Sequence, residues 1–126
     1  MMKKLTAIRG ATISENTPQD ITKNVCDMCN EIIIKNKLKT SDLVSIFFTV
    51  TKDITALNPA TALRKGKTVF DTSEVALFCA QECEIEGGSP FMIRVMITAY
   101  KSRFVKKENV YINGAQKLRP DYVKES

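Results

Sequence analysis

Histidine and tryptophan are absent from this chain of 126 residues. The first absence removes the commonest general base, and with it the usual nucleophilic triads and most catalytic zinc sites. Any chemistry here runs largely without the standard proton shuttle. Long apolar runs are also missing, and none approaches the ~20 residues of a membrane span. No apolar core of about 7–15 residues follows the basic "MMKK" at the start, so a secretory signal is not expected and a cytoplasmic location is. Glycine (5) and proline (4) are sparse, and there is no repeat, linker or low-complexity segment. The length is near the commonest domain size, which predicts one domain over residues 1–126.

Positive charge is what the chain has in excess: 19 basic against 14 acidic residues, a net +5. That balance suits nucleic acid or a small anionic metabolite equally, so distribution decides more than the total. Fourteen of the basic residues are lysines, mostly in polar stretches that read as solvated faces and loops. Only five are arginines, and three have unusual settings: "AIRGA" (Arg9), "MIRVM" (Arg94) and "KLRPD" (Arg119). Four cysteines complete the reactive inventory: Cys26, Cys29, Cys79 and Cys83. The Cys26-x-x-Cys29 spacing invites a zinc reading. It lies inside a helical pattern without a glycine-bearing knuckle, however, and Cys79 and Cys83 are four apart. The expectation is reduced thiols used as core filler, with no metal and no disulfide.

The pattern of apolar residues lays out the elements. A strand is expected over 6–13, "TAIRGATI", with Gly10 allowing a turn right after Arg9. Thr17 reads as an N-cap with Pro18 first in the helix, and Ile21, Val25, Met28, Cys29, Ile32 and Ile33 form one apolar stripe. Residues 43–51, "LVSIFFTVT", form a strand apolar on both faces and so expected to be covered on both. Asn58-Pro59 opens a short helix, "PATALRK", closed by Gly66. Further strands follow at 75–80, 91–100 and 109–112, with a Gly87-Gly88 loop and an Asn113-Gly114 turn. The order β-α-β-α-β-β-β predicts an α/β or α+β fold, a sheet with helices over one face. The terminal "YVKES" reads as mobile in isolation.

Strand alternation then assigns the charges to faces. Over 91–100, Phe91, Ile93, Val95 and Ile97 share the core face, while Met92, Arg94, Met96, Thr98 and Tyr100 share the other. Arg9 lies with Leu5 and Ala7, and Glu82 follows just beyond the strand at 75–80. An Arg94–Glu82 ion pair is one reading. Carboxylates are scarce on these strands, so an excess of guanidinium also suggests a pocket for an organic dianion, whose carboxylates match the guanidinium fork.

Six segments occur in one order: "IRGAT" (8–12), "PATALR" (59–64), "CAQE" (79–82), "GG....IRVM" (87–96), "VYI" (110–112) and "LRPD" (118–121). Across residues 6–121 this set resembles the monofunctional chorismate mutases of the trimeric, α/β-barrel-like class, not the all-helical ones. The resemblance implies a mixed sheet with helices over one face, closing into a pseudo-α/β-barrel as a homotrimer with an active site at each interface. It implies the Claisen rearrangement of chorismate to prephenate, a step towards aromatic amino acids that requires no cofactor. The catalytic residues would be Arg94, donating to the ether oxygen, and Glu82, accepting from the ring hydroxyl with help from the backbone or thiol of Cys79. Arg9 and Tyr111 would hold substrate carboxylates. Arg64 and Arg119 would steer substrate at the mouth, and Ala60, Thr61 and Leu118 would complete the substrate-binding set. Departures from the family pattern fall at Asn58, Thr61, the longer segment 65–75 and Phe78, and they bear on the pocket wall, substrate affinity and loop alignment. A non-catalytic trimeric binder of an anionic metabolite would use the same arginines. A nucleic-acid module is disfavoured, because no aromatics interleave with lysines in a strand.

Overall fold

The computed structural model describes residues 2–118. Five strands and two helices alternate in the expected order: β1 (Lys3–Ile13), α1 (Pro18–Lys35), β2 (Leu43–Val50), α2 (Pro59–Lys65), β3 (Ala76–Gln81), β4 (Met92–Ser102) and β5 (Val110–Ile112). Three 3-10 turns that sequence did not suggest lie at Thr40–Asp42, Thr72–Glu74 and Ala115–Leu118. The sheet runs β3-β2-β4-β1-β5. The pairs β2–β3 and β1–β5 are parallel, while β4 is antiparallel to both β1 and β2. A parallel pair needs a crossover, and α2 supplies the one between β2 and β3. The fold is thus α+β, a mixed sheet with both helices on one face. Arg119 and the terminal "YVKES" lie outside the described residues.

Local chemistry accounts for the helices. Thr17 Oγ1 accepts from the Asp20 amide at 3.1 Å, Pro18 opens α1, and Asn58 Oδ1 accepts from the Ala60 amide at 2.8 Å to cap α2. The predicted stripe of α1 is buried, meeting Ile8, Ile46, Phe48, Ile93, Val95, Ile97 and Val110 of the sheet. Each such side chain contributes roughly 1.5–3 kcal/mol when fully buried.

Three expectations are corrected here. Gly10 makes no turn, and β1 continues to Ile13. A Cβ on Gly10 would lie 3.0 Å from Ile32 Cδ1 and 3.0 Å from the Val110 carbonyl oxygen, so the glycine lets α1 and β5 approach the strand. Phe91 is not in the core: it precedes β4 with φ 53° and is exposed, and Ala99 completes the core face instead. Its left-handed backbone is held by the Asp53 carboxylate, which accepts from the Phe91 amide at 3.0 Å. Finally, Cys26 and Cys29 are buried as expected, whereas Cys83 is exposed.

Among the described residues the second face of the sheet carries no α-helix. One rung across four strands reads Arg9–Met96–Phe47–Phe78, and Leu5 pairs with Tyr100 nearby. Leu5, Phe47, Phe78, Met96 and Tyr100 are all exposed. The Phe47 and Phe78 rings tilt against each other with centroids 5.3 Å apart. Near the end of β1 this face is covered, where Ala11, Met92 and Ala115 bury one another with Ile13 and Tyr111 alongside.

Candidate active site

The next rung of the helix-free face reads Tyr111–Ala11–Arg94–Thr49–Ala80, one residue from each strand. Ala11, between Arg94 and Tyr111 on this rung, is buried against Met92 and Ala115. Glu82 follows β3 directly, with its amide donating to the Val50 carbonyl at 2.8 Å. Its carboxylate Oε2 lies 2.8 Å from Arg94 Nε and accepts from Thr49 Oγ1 at 2.7 Å. The Arg94 contact is an ion pair in distance only, because the buried Nε–H does not point along a hydrogen-bond direction. Arg94 and Glu82 line a cleft of about 280 Å³ together with Thr51, Asp53 and the 83–90 loop. A Lys52–Glu84 pair at 2.6 Å, exposed on both sides, stands at its rim.

Polar clamps fix the walls. Thr51 Oγ1 accepts from the Met92 amide at 3.0 Å and donates to Asp53 Oδ1 at 2.5 Å, tying the end of β2 to the start of β4. At the other side Asn36 joins α1 to the approach to β5. Its Nδ2 donates to the Glu108 carbonyl at 2.9 Å, and its Oδ1 accepts from the Glu108 amide at 2.9 Å. Beyond β5, Asn113 Nδ2 donates to Thr12 Oγ1 and to Asn24 Oδ1, both at 3.0 Å. These contacts hold β5 at both ends and present Tyr111 beside Ala11.

The residues expected in the site fall into two groups. Arg9, Arg94 and Tyr111 share the helix-free face, with Glu82 reaching Arg94 from the end of β3. Arg9 and Arg94 are diagonal neighbours on β1 and β4, an arrangement that sets residues about 7–8 Å apart, within reach of long side chains. The second group lies on the helix side. Ala60 is buried in α2, Thr61 is half-buried, and exposed Arg64 donates from Nη2 to Thr61 Oγ1 at 3.3 Å. Cys79 pairs in register with Phe48 and packs its side chain against the helix-side core, where burial pushes its thiol pKa up. Leu118 ends the last 3-10 turn, and Arg119 lies outside the described residues. Thr49, Thr51 and Asp53 were missed. No local signal marks Thr49, a single hydroxyl at the end of the run "SIFFT" whose partner Glu82 lies 33 positions away.

The family model for "Chorismate mutase type I" matches residues 5–122. The chain belongs to the type I chorismate mutase family. Chorismate mutase AroH of Bacillus subtilis is 32% identical over 118 residues, covering 90% of this chain and 89% of that protein. Chorismate mutase AroH of Thermus thermophilus is 32% identical over 117 residues, with 90% and 93% covered. A solved structure of chorismate mutase from Clostridium thermocellum superposes with a TM-score of 0.78 at 36% identity, over 89% of this chain and 98% of that one. Near-complete coverage of both partners means that the chorismate mutase fold, not a fragment of it, is shared. Among the described residues no group of three or more His, Cys, Asp or Glu side chains could hold a metal ion, and no helix is long and apolar enough to cross a membrane.

Proposed function

We propose that this chain rearranges chorismate to prephenate, an intramolecular isomerisation that serves aromatic amino acid biosynthesis. The observation that carries the reading is the Arg94–Glu82 pair at 2.8 Å, set in a cleft on the face that also bears Arg9 and Tyr111 in a chorismate mutase chain. The reaction is a pericyclic shift. It asks for no proton transfer, nucleophile, metal or cofactor, which suits a chain without histidine. It does ask for two things that this cleft supplies. One is a compact, chair-like substrate conformer, favoured by fixed contacts to its carboxylates. The other is positive charge where the ether oxygen becomes negative as its C–O bond breaks, a contribution worth about 10²–10³ in rate.

In this reading Arg94 donates to the ether oxygen and Glu82 accepts from the ring hydroxyl. Arg9 and Tyr111 hold a carboxylate, and Arg64 and Arg119 steer the dianion at the mouth. Ala60, Thr61 and Leu118 complete the wall. Cys79 acts through its main chain at the sheet edge, its thiol being turned into the core. Since Ala60, Thr61 and Arg64 lie across the sheet from Arg94, a complete site takes them from a second copy. The exposed apolar rung Met96–Phe47–Phe78 supports the same assembly. With the homotrimer that the family resemblance implies, the reading is an enzyme with interfacial active sites, located in the cytoplasm, with chorismate as its small-molecule partner and neither nucleic acid nor membrane involved.

Loss of the chorismate ultraviolet absorbance with purified protein tests the activity. Acceleration over buffer is expected. No acceleration across a broad substrate range overturns the enzyme reading, and tight binding without turnover would leave the non-catalytic binder in its place.

A further inference from the structure

We propose that Thr49 is a positioning residue for this reaction: resting on the chorismate mutase reading above, its hydroxyl locks the Glu82 carboxylate so that one oxygen is held and the other serves the substrate. Glu82 lies just past the end of β3, ahead of the exposed 83–90 loop. Its main chain is tied to Val50, but a glutamate side chain keeps three torsions to settle. Two contacts settle them. Thr49 Oγ1 donates to Oε2 at 2.7 Å, and Arg94 Nε approaches the same Oε2 at 2.8 Å. Only the first has hydrogen-bond direction, because the Arg94 Nε–H is not aimed at the oxygen. Thr49 is thus the group that defines where the carboxylate points.

Both contacts converge on one oxygen, so Oε1 keeps its lone pairs for a hydroxyl donor in the cleft. The same arrangement engages Arg94 through Nε and leaves its terminal nitrogens to reach a second substrate atom. Distance between those two substrate contacts is then set by Thr49, on the central side of the rung, and not by the loop after Glu82. Threonine suits this role because its branched Cβ restricts χ1 on a strand, which pre-orders the hydroxyl. Thr49 is absent from the cleft lining. It acts through Glu82 and not on substrate.

Steady-state kinetics with chorismate test this on the wild type, on Thr49→Val, which keeps the shape without the hydroxyl, and on Thr49→Ser, which keeps the hydroxyl. Loss of a hydrogen bond to a charged group predicts that Thr49→Val lowers kcat by about 10- to 100-fold. KM stays within about threefold, and Thr49→Ser stays within about threefold in both constants. In a Glu82→Ala background Thr49→Val should add less than about a twofold loss, since groups acting as a unit are not additive. Thr49→Ala repeats the comparison if the valine variant melts lower than wild type. Wild-type kcat in Thr49→Val, equal losses in the serine and valine variants, or an undiminished penalty in the Glu82→Ala background each overturn the proposal. An inactive wild type overturns the parent reading and this role together, whereas an active wild type with an indifferent Thr49→Val removes this role alone.

Discussion

Arginine 94 is held in a different way from the other charges of the chain. It sits on the central strand of the sheet with its Nε enclosed, yet its side chain stays 43% exposed and lines the cleft. A lysine there would supply charge at a point, without a fork that touches Glu82 and a ligand at once. Arg94→Lys is therefore expected to lower kcat by about 10²–10³, the usual cost of removing a donor aimed at the transition state. Arg64→Ala, on an exposed helix position where the guanidinium meets Thr61 at 3.3 Å, should cost far less. Equal, modest losses measured for both variants would remove Arg94 from its central role. This residue was legible in the sequence, since strand alternation alone separates Arg94 from Ile93 and Val95. Thr49 was not legible. Its importance depends on Glu82, 33 positions away, reaching back to it, and no local pattern encodes that meeting.

At the level of elements, propensity and capping carried the reading. Thr17-Pro18 and Asn58-Pro59 started helices where their side chains do cap amides. Gly10 shows what such local rules miss. A glycine in a strand suggests a turn or bulge, but here its role is set by α1 lying against β1, a contact between residues 22 positions apart. Gly10→Ala should destabilise by about 1–3 kcal/mol, as overpacking does, because Ile32, Val95 and the Val110 carbonyl would all have to move. A lowered urea midpoint with an unchanged slope checks this. The turn Thr40–Asp42 that leads into β2 makes a pH prediction. Burial opposes the Asp42 charge, but hydrogen bonds from Lys3 Nζ at 2.5 Å and the Lys39 amide at 2.8 Å outweigh it and hold the carboxyl below its ordinary value. A depressed carboxylate pKa stabilises the fold above its unfolded value of about 4, and that stabilisation is lost as pH falls through the folded value. Asp42→Asn should therefore cost about 1–3 kcal/mol at pH 7. The gap to wild type should shrink in urea melts carried below the folded pKa. A gap that is the same at both ends would show that the ion pair does not stabilise the fold.

For the whole molecule the telling feature is a sheet whose second face, among the described residues, leaves an apolar rung exposed. The sequence showed β2 to be apolar on both sides, and helices account for only one of them. Among the described residues Phe47, Phe78 and Met96 stay exposed, and neither periodicity nor capping says what would cover them. The assembly proposed above would cover them, and would also account for the residues expected in the site dividing between two sides of the sheet. If the interface rests on this rung, a charge in its centre must separate the copies without unfolding them, since Phe47 is already 39% exposed in the isolated chain. Sedimentation equilibrium should give about three times 14.1 kDa for the wild type, from three copies in a closed ring. Phe47→Lys should give a folded species near 14.1 kDa with wild-type helical circular dichroism. Its turnover of chorismate should collapse, although Arg94, Glu82 and Tyr111 are untouched, because Ala60, Thr61 and Arg64 of a neighbour are no longer present. A Phe47→Lys variant that is monomeric and fully active would show instead that one chain builds the entire site, and the division of residues across the sheet would lose its meaning.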